Sequence, residues 1–175
     1  HAPVSRAEVP VVIDGKPMAV VVTSDRPSAV TAYAAEELVK HVEKATGVRL
    51  SIKTESKLPP AMEHRILVGD SATVRADGIG SLNLAPEAFV LRTKGNDLII
   101  AGEDSHGDPL DTDTRAGTLW GVYEWLDRAL GVRWLWPGEL GTFVPKTRRV
   151  IARDIDETIA PKFIQRRLRP GMGFE

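Results

Sequence analysis

The chain has 175 residues, 42% of them hydrophobic and 27% charged, with a net charge of −1. That length suits one domain with a proper core and is short for two of ordinary size. The balanced charge argues against an electrostatic nucleic-acid partner. No apolar run approaches the roughly 20 residues that cross a bilayer, and the lack of cysteine removes disulfides, thiolate metal sites and a cysteine nucleophile together.

In chain order, residues 9–13 (VPVVI) and 18–23 (MAVVVT) flank Asp14-Gly15-Lys16. An Asp-Gly turn between β-branched runs predicts a hairpin. The next segment places Val30, Ala34, Leu38, Val42 and Ala45 at helical spacing. Ser28 offers the N-cap and Gly47 the left-handed stop. Residues 48–53 alternate as a half-buried strand, Pro59-Pro60 marks a loop, and residues 65–69 read as a short buried strand. Residues 71–84 are small and polar, with one loose helical turn expected.

A second hairpin is predicted from residues 88–92 and 97–101 around Lys94-Gly95-Asn96. A loop rich in Asp and Gly follows, over residues 102–113. An amphipathic helix is expected over 114–130, ended by Gly131, then a strand over 132–136 stopped by Pro137-Gly138. Residues 142–144 and 148–151 read as a last small hairpin. Strand pairs alternating with single helices predict an α/β (α+β) chain, with a mixed sheet and two long helices packed on one face. Gly117 and Gly121, one turn apart, let the second helix approach the sheet closely.

The chemical signals are sparse. A zinc-protease helix needs His-Glu-x-x-His. The corresponding residues here are Tyr123-Glu124-Trp125-Leu126-Asp127, so both ligands are missing and Glu124 reads as a solvated residue paired with Arg128. The acidic loop does not follow the order of a calcium loop; Asp111 or Asp113 is expected to cap the following helix. Its length makes Asp104, His106 and Asp108 candidates for contact with a ligand or a neighbouring domain. Glu103, Asp104 and Glu139 are the acids a glycosidase pair would draw on, although spacing alone does not bring them together. No serine stands in a nucleophile elbow and no phosphate loop is present. All four tryptophans fall within residues 114–140. Core packing or a domain interface is the expected use of their rings, with Trp120 and Trp136 as candidates for outward contact; direct stacking on sugar is the alternative.

Four stretches, AAEELVKHVEKATGVRL, RILVGDS, AFVLRTKGNDLIIAGED and RAGTLWGVYEWLDRALGVRWLWPGELGTFVP, occur in an order and spacing that resemble one domain type. It is the small non-catalytic α/β domain that precedes the catalytic barrel in alpha-glucuronidases and beta-N-acetylhexosaminidases, found also at the front of large bacterial proteins related to them. The last pattern is carried by Gly117, Gly121, Tyr123, Leu126, Gly131, Arg133, Trp134 and Pro137, and the likeness spans residues 9–151.

The resemblance implies a zincin-like topology without the metal site, no cofactor and no catalytic residue in this segment. It implies a catalytic domain of the same chain as partner, with a glycan as a further candidate, and a periplasmic or extracellular bacterial setting. Residues 1–155 are then one accessory domain and 156–175 a linker or lead-in to a barrel, in keeping with the start at His1 and the cluster of Arg166, Arg167 and Arg169. The function so expected is that of an accessory domain packing against a glycoside-hydrolase-like barrel and completing its rim; the alternative is a stand-alone carbohydrate-binding module using exposed tryptophans.

Overall fold

A computed structural model of the chain describes residues 8–58, 63–79 and 84–162. Among these residues, eleven strands and three α-helices follow one another: β1 (Val9–Ile13), β2 (Lys16–Pro17), β3 (Ala19–Thr23), α1 (Ala29–Thr46), β4 (Ile52–Thr54), β5 (His64–Val68), α2 (Ala72–Ala76), β6 (Phe89–Lys94), β7 (Asp97–Gly102), α3 (Gly117–Leu130), β8 (Arg133–Trp134), β9 (Thr142–Phe143), β10 (Arg149–Ala152) and β11 (Asp156–Ile159). The main sheet has the order β11-β6-β7-β5-β3-β4. Strands β4, β3, β5 and β7 run parallel, and β6 runs antiparallel to both of its neighbours, β7 and β11. The α+β class and the mixed sheet agree with the sequence reading.

The period of two sorts the central strands onto two faces. Ala19, Val21, Ile66, Val68, Leu98 and Ile100 point toward α1 and α3 and merge with Leu38, Val42, Val122 and Leu126 into one core. Val20, Val22, Leu67 and Ile99 point the other way, into a smaller core with Val74 and Ile79. Both long helices therefore lie on one face. Helix α1 forms as its caps predict: Ser28 Oγ accepts from Thr31 N at 3.0 Å, and Gly47, at φ 76°, donates its N–H to Glu43 O at 2.8 Å. Helix α3 begins three residues later than expected, at Gly117.

Two expected hairpins are replaced by longer-range pairings. Asp14 and Gly15 make their turn at positive φ, but the hairpin they close holds only the two residues of β2 against β1. Pro17 offers no N–H to continue the ladder, and β3 crosses into the main sheet. All five residues of β3 are buried, which suits the centre of a parallel sheet rather than a half-wet hairpin. The last expected hairpin divides in the same way. Strand β9 pairs with β8, and β10 pairs with β1. Residues between them strap the end of α1, where Thr147 N donates to Ala45 O at 3.0 Å and Lys146 Nζ to Lys44 O at 2.7 Å. These bonds satisfy terminal helix carbonyls that otherwise lack partners. Residues 156–159, read from sequence as the start of a linker, form β11 on the edge of the main sheet. The expected lead-in from Phe163 onward, with its three arginines, lies outside the described residues, as do Pro59 and Pro60.

Candidate functional site

The acidic loop after β7 is folded onto itself. Asp104 and Ala116 form an isolated bridge, and Ser105 N donates to Arg115 O at 2.9 Å. Asp108 Oδ1 accepts from Leu110 N at 2.9 Å and Asp111 Oδ1 from Asp113 N at 3.0 Å, so both carboxylates close local turns. Neither Asp111 nor Asp113 caps α3, which corrects the sequence expectation. Asp104 does so instead: its Oδ1 accepts from Thr118 N at 2.8 Å. The N-cap position is Ala116, whose side chain cannot cap, and the Asp104–Ala116 bridge brings this remote carboxylate to the orphan N–H. Burial pushes the Asp104 carboxyl up to about 6, against the lowering effect of the Thr118 hydrogen bond.

His106 and Asp108 are exposed on the loop. Glu103 is held below the usual carboxylate range by the Arg115 guanidinium, which donates Nε to its two oxygens at 3.0 and 2.8 Å. Glu139 pairs with Lys44 at 3.0 Å. The acids a glycosidase pair would draw on are thus separately engaged. Among the described residues, no three His, Asp or Glu side chains come together as a metal-binding group.

The tryptophans divide. Trp125 is buried in the core, whereas Trp120, Trp134 and Trp136 are exposed. Trp120 and Tyr123, one turn apart on α3, have ring centroids 6.1 Å apart; Tyr123 and Trp134 lie at 4.8 Å, with interplanar angles of 57° and 58°. His41 of α1 meets the Trp134 edge at 5.5 Å. Tyr123 donates its hydroxyl to Glu37 Oε2 at 3.2 Å across the α1–α3 seam. Burial, and next the Glu37 charge, push this phenol well above its ordinary range, so it serves as a hydrogen-bond donor. Trp120, Tyr123 and Trp134 line a groove of about 290 Å³ together with Glu87, Phe89, Glu124, Asp127 and residues 159–161. Glu124 and Asp127 are paired with Arg128 and Arg133; the Glu124–Arg128 pair is the one the sequence predicts.

Of the five sequence candidates, Trp120 alone lines this groove. Sequence reading missed Glu87, Tyr123, Asp127 and Trp134 as groove residues. A signal was present on α3, where Trp120, Tyr123, Glu124 and Asp127 fall at i, i+3, i+4 and i+7 and so share a helix stripe. Beyond the groove, β8, a short 3₁₀ turn (Glu139–Gly141) and β9 form a flap. It presents Leu135, Trp136, Leu140 and Phe143 to solvent, with Leu140 94% exposed.

No protein-family model matches the chain, and no curated protein does. Among solved structures, a GH115 4-O-methyl-alpha-glucuronidase with specificity for decorated arabinogalactans matches 83% of the chain at 20% identity and a TM-score of 0.50. A GH138 enzyme targeting pectin rhamnogalacturonan II covers 63% of the chain at 19% identity and a TM-score of 0.37. The Flavobacterium johnsoniae chitobiase covers 88% at 15% identity and a TM-score of 0.39. The chain spans 18%, 10% and 19% of these three proteins respectively. At these identities the likeness concerns the fold alone: the chain shares its architecture with one segment of a much longer alpha-glucuronidase.

Proposed function

We propose that the chain is a non-catalytic accessory domain of a larger, exported, glycoside-hydrolase-like protein, and that it packs against the catalytic domain through its flap. The observation that carries this reading is the run of Leu135, Trp136, Leu140 and Phe143 in solvent beside two exposed ring faces, Trp120 and Trp134. An apolar surface of this kind on a soluble domain is characteristic of an interface. Two further observations support it: the fold recurs as a small part of a longer glucuronidase, and the candidate acids Glu103, Asp104, Asp108 and Glu139 are engaged in a helix cap, a local turn and ion pairs. A carbohydrate-binding module is the weaker reading, because the rings of Trp120, Tyr123 and Trp134 are tilted by 57° and 58° to their neighbours and make no flat platform.

The test begins with the natural gene product. An antibody against residues 8–162 should detect a band several times heavier than the 19.1 kDa of this chain; a native band at that mass sinks the reading. In the longer protein, Trp136→Ser with Leu140→Ser should speed proteolytic release of the domain while the isolated domain stays folded. Unchanged release would remove the flap from the interface.

A further inference from the structure

The seam between α1 and α3 holds a buried carboxylate. Glu37 of α1 is 7% exposed. Burying a carboxylate costs desolvation, and an apolar side chain of similar size often holds two elements together as well or better. What the carboxylate adds is a fixed acceptor. Its Oε1 accepts from Lys40 Nζ at 3.0 Å, and its Oε2 accepts from the Tyr123 hydroxyl at 3.2 Å. The same residue orients a second ring through its backbone. His41, also buried, has Nδ1 at 2.8 Å from Glu37 O; a carbonyl only accepts, so Nδ1 carries the proton and donates it.

Tyr123 and His41, both held by Glu37, are the rings that Trp134 of the flap meets, with centroids at 4.8 and 5.5 Å. At the two ends of the flap, Val132 is in the core and Val144 packs against it. Between them, the ion pairs tying the flap to the helices among the described residues are Arg133–Asp127 and Lys44–Glu139. Their side chains are exposed, and pairs of that kind contribute little. The seating of the flap therefore depends on the two rings. We infer that Glu37 is a positioning residue for the flap: through Tyr123 and His41 it keeps Trp134 seated, and so holds Leu135, Trp136, Leu140 and Phe143 as one preformed surface. A preformed surface loses less conformational freedom when a partner docks on it. The inference rests on the docking reading for what the flap meets; the seating itself is measured on this chain.

The reporter is the Leu135 N–H, which donates to Gly141 O at 2.8 Å inside the flap. Its hydrogen exchange, followed by NMR on the 15N-labelled chain, reads local opening of the flap, whereas the Ile99 N–H in the central strand β7 reads global unfolding. Tyr123→Phe keeps the ring and removes its bond to Glu37. It should speed Leu135 exchange about fivefold, the cost of ordering one side chain that has been set free. Glu37→Leu should speed it at least as much, even where apolar packing in the seam slows Ile99 exchange. Glu37→Gln keeps an acceptor for the Tyr123 hydroxyl and should stay within about twofold of wild type. A residue that merely stabilised the fold would move Ile99 and leave Leu135 alone. Should Glu37→Leu fail to fold, Tyr123→Phe decides. Unchanged Leu135 exchange in Tyr123→Phe overturns the inference. Equal loosening by Glu37→Gln and Glu37→Leu also overturns it, because the acceptor would then not be what seats the ring. The docking reading fails on other results, the size of the native protein and the release of the Trp136→Ser, Leu140→Ser variant, neither of which depends on Leu135 exchange.

Discussion

Gly102→Ala should destabilise the chain by about 3 kcal/mol, the upper end of what overpacking costs. A Cβ at Gly102 would lie on the backbone of Gly117 and Thr118, where α3 begins against the end of β7. That junction is tied on both sides. Gly102 N donates to Thr118 Oγ1 at 3.1 Å, and Gly117 N donates to Glu103 O at 3.0 Å. Neither obstacle is a side chain that can rotate away. Relief requires the start of α3 to lift from the sheet, parting Leu119 and Val122 from the core strands. Gly121→Ala is the control. Its nearest neighbours are side-chain atoms, Ile100 Cγ2 at 3.0 Å and Phe89 at 3.2 and 3.3 Å, which can give way, so its cost should be about 1 kcal/mol. Urea unfolding followed by the fluorescence of buried Trp125 measures both. Gly102→Ala within 1 kcal/mol of wild type would show that the close approach is slack. Because a domain's whole stability is on the order of 5–15 kcal/mol, this single methyl group would remove a substantial part of it.

That junction also marks how far the sequence is legible. Gly117 and Gly121 announce a close approach, and the structure places them against β6 and β7. Helix α1 is readable from end to end, since the signals for its caps and buried face are local to Ala29–Thr46 and the residues beside it. The buried strands are readable too, because periodicity reports burial; the mostly exposed edge strand β11 is not. Strand partners are not. Residues 9–13 and 18–23 look like a hairpin to any local rule, and what separates them is the competition of the whole sheet for the fully apolar β3. The groove is half legible. The stripe of Trp120, Tyr123, Glu124 and Asp127 lies in one helix, whereas Glu87 and Trp134 join it only when β6 and β8 dock beside α3. Local rules place the cap of α3 next to the helix, at Asp111 or Asp113; the carboxylate that performs it comes from 14 residues away.

That distant cap leads to the second expected result: Asp104→Asn should stabilise the protein near neutral pH and not at pH 4. Two effects oppose each other at this carboxylate. The hydrogen bond from Thr118 N and the positive end of α3 favour the charged form, and a helix terminus is worth about 0.3–1 kcal/mol. Burial disfavours it and is the larger effect, raising the group from 3.8 to about 6. The native state therefore holds a proton that the unfolded chain releases between pH 3.8 and 6. By linkage, the contribution of Asp104 is fully favourable below the unfolded value and declines as pH rises through about 6. A displacement of this size, discounted for the part of the side chain that water reaches, is on the order of 2 kcal/mol. Asparagine keeps an oxygen for Thr118 N and carries no charge, so the gain over wild type should open between pH 4 and pH 7.5 to about that amount. Alanine loses the acceptor and leaves the Thr118 N–H without its partner; at pH 4, where the charge is absent from both proteins, it should be less stable than wild type by about 1 kcal/mol. Denaturant unfolding of the three proteins across this range separates the effects, because the titration of carboxylates other than the neighbouring Glu103 and Asp70 cancels between variants. A gap between Asp104→Asn and wild type that stays constant with pH, or that favours wild type near neutrality, would mean that the helix terminus outweighs burial and that the Asp104 carboxylate strengthens the cap by staying charged.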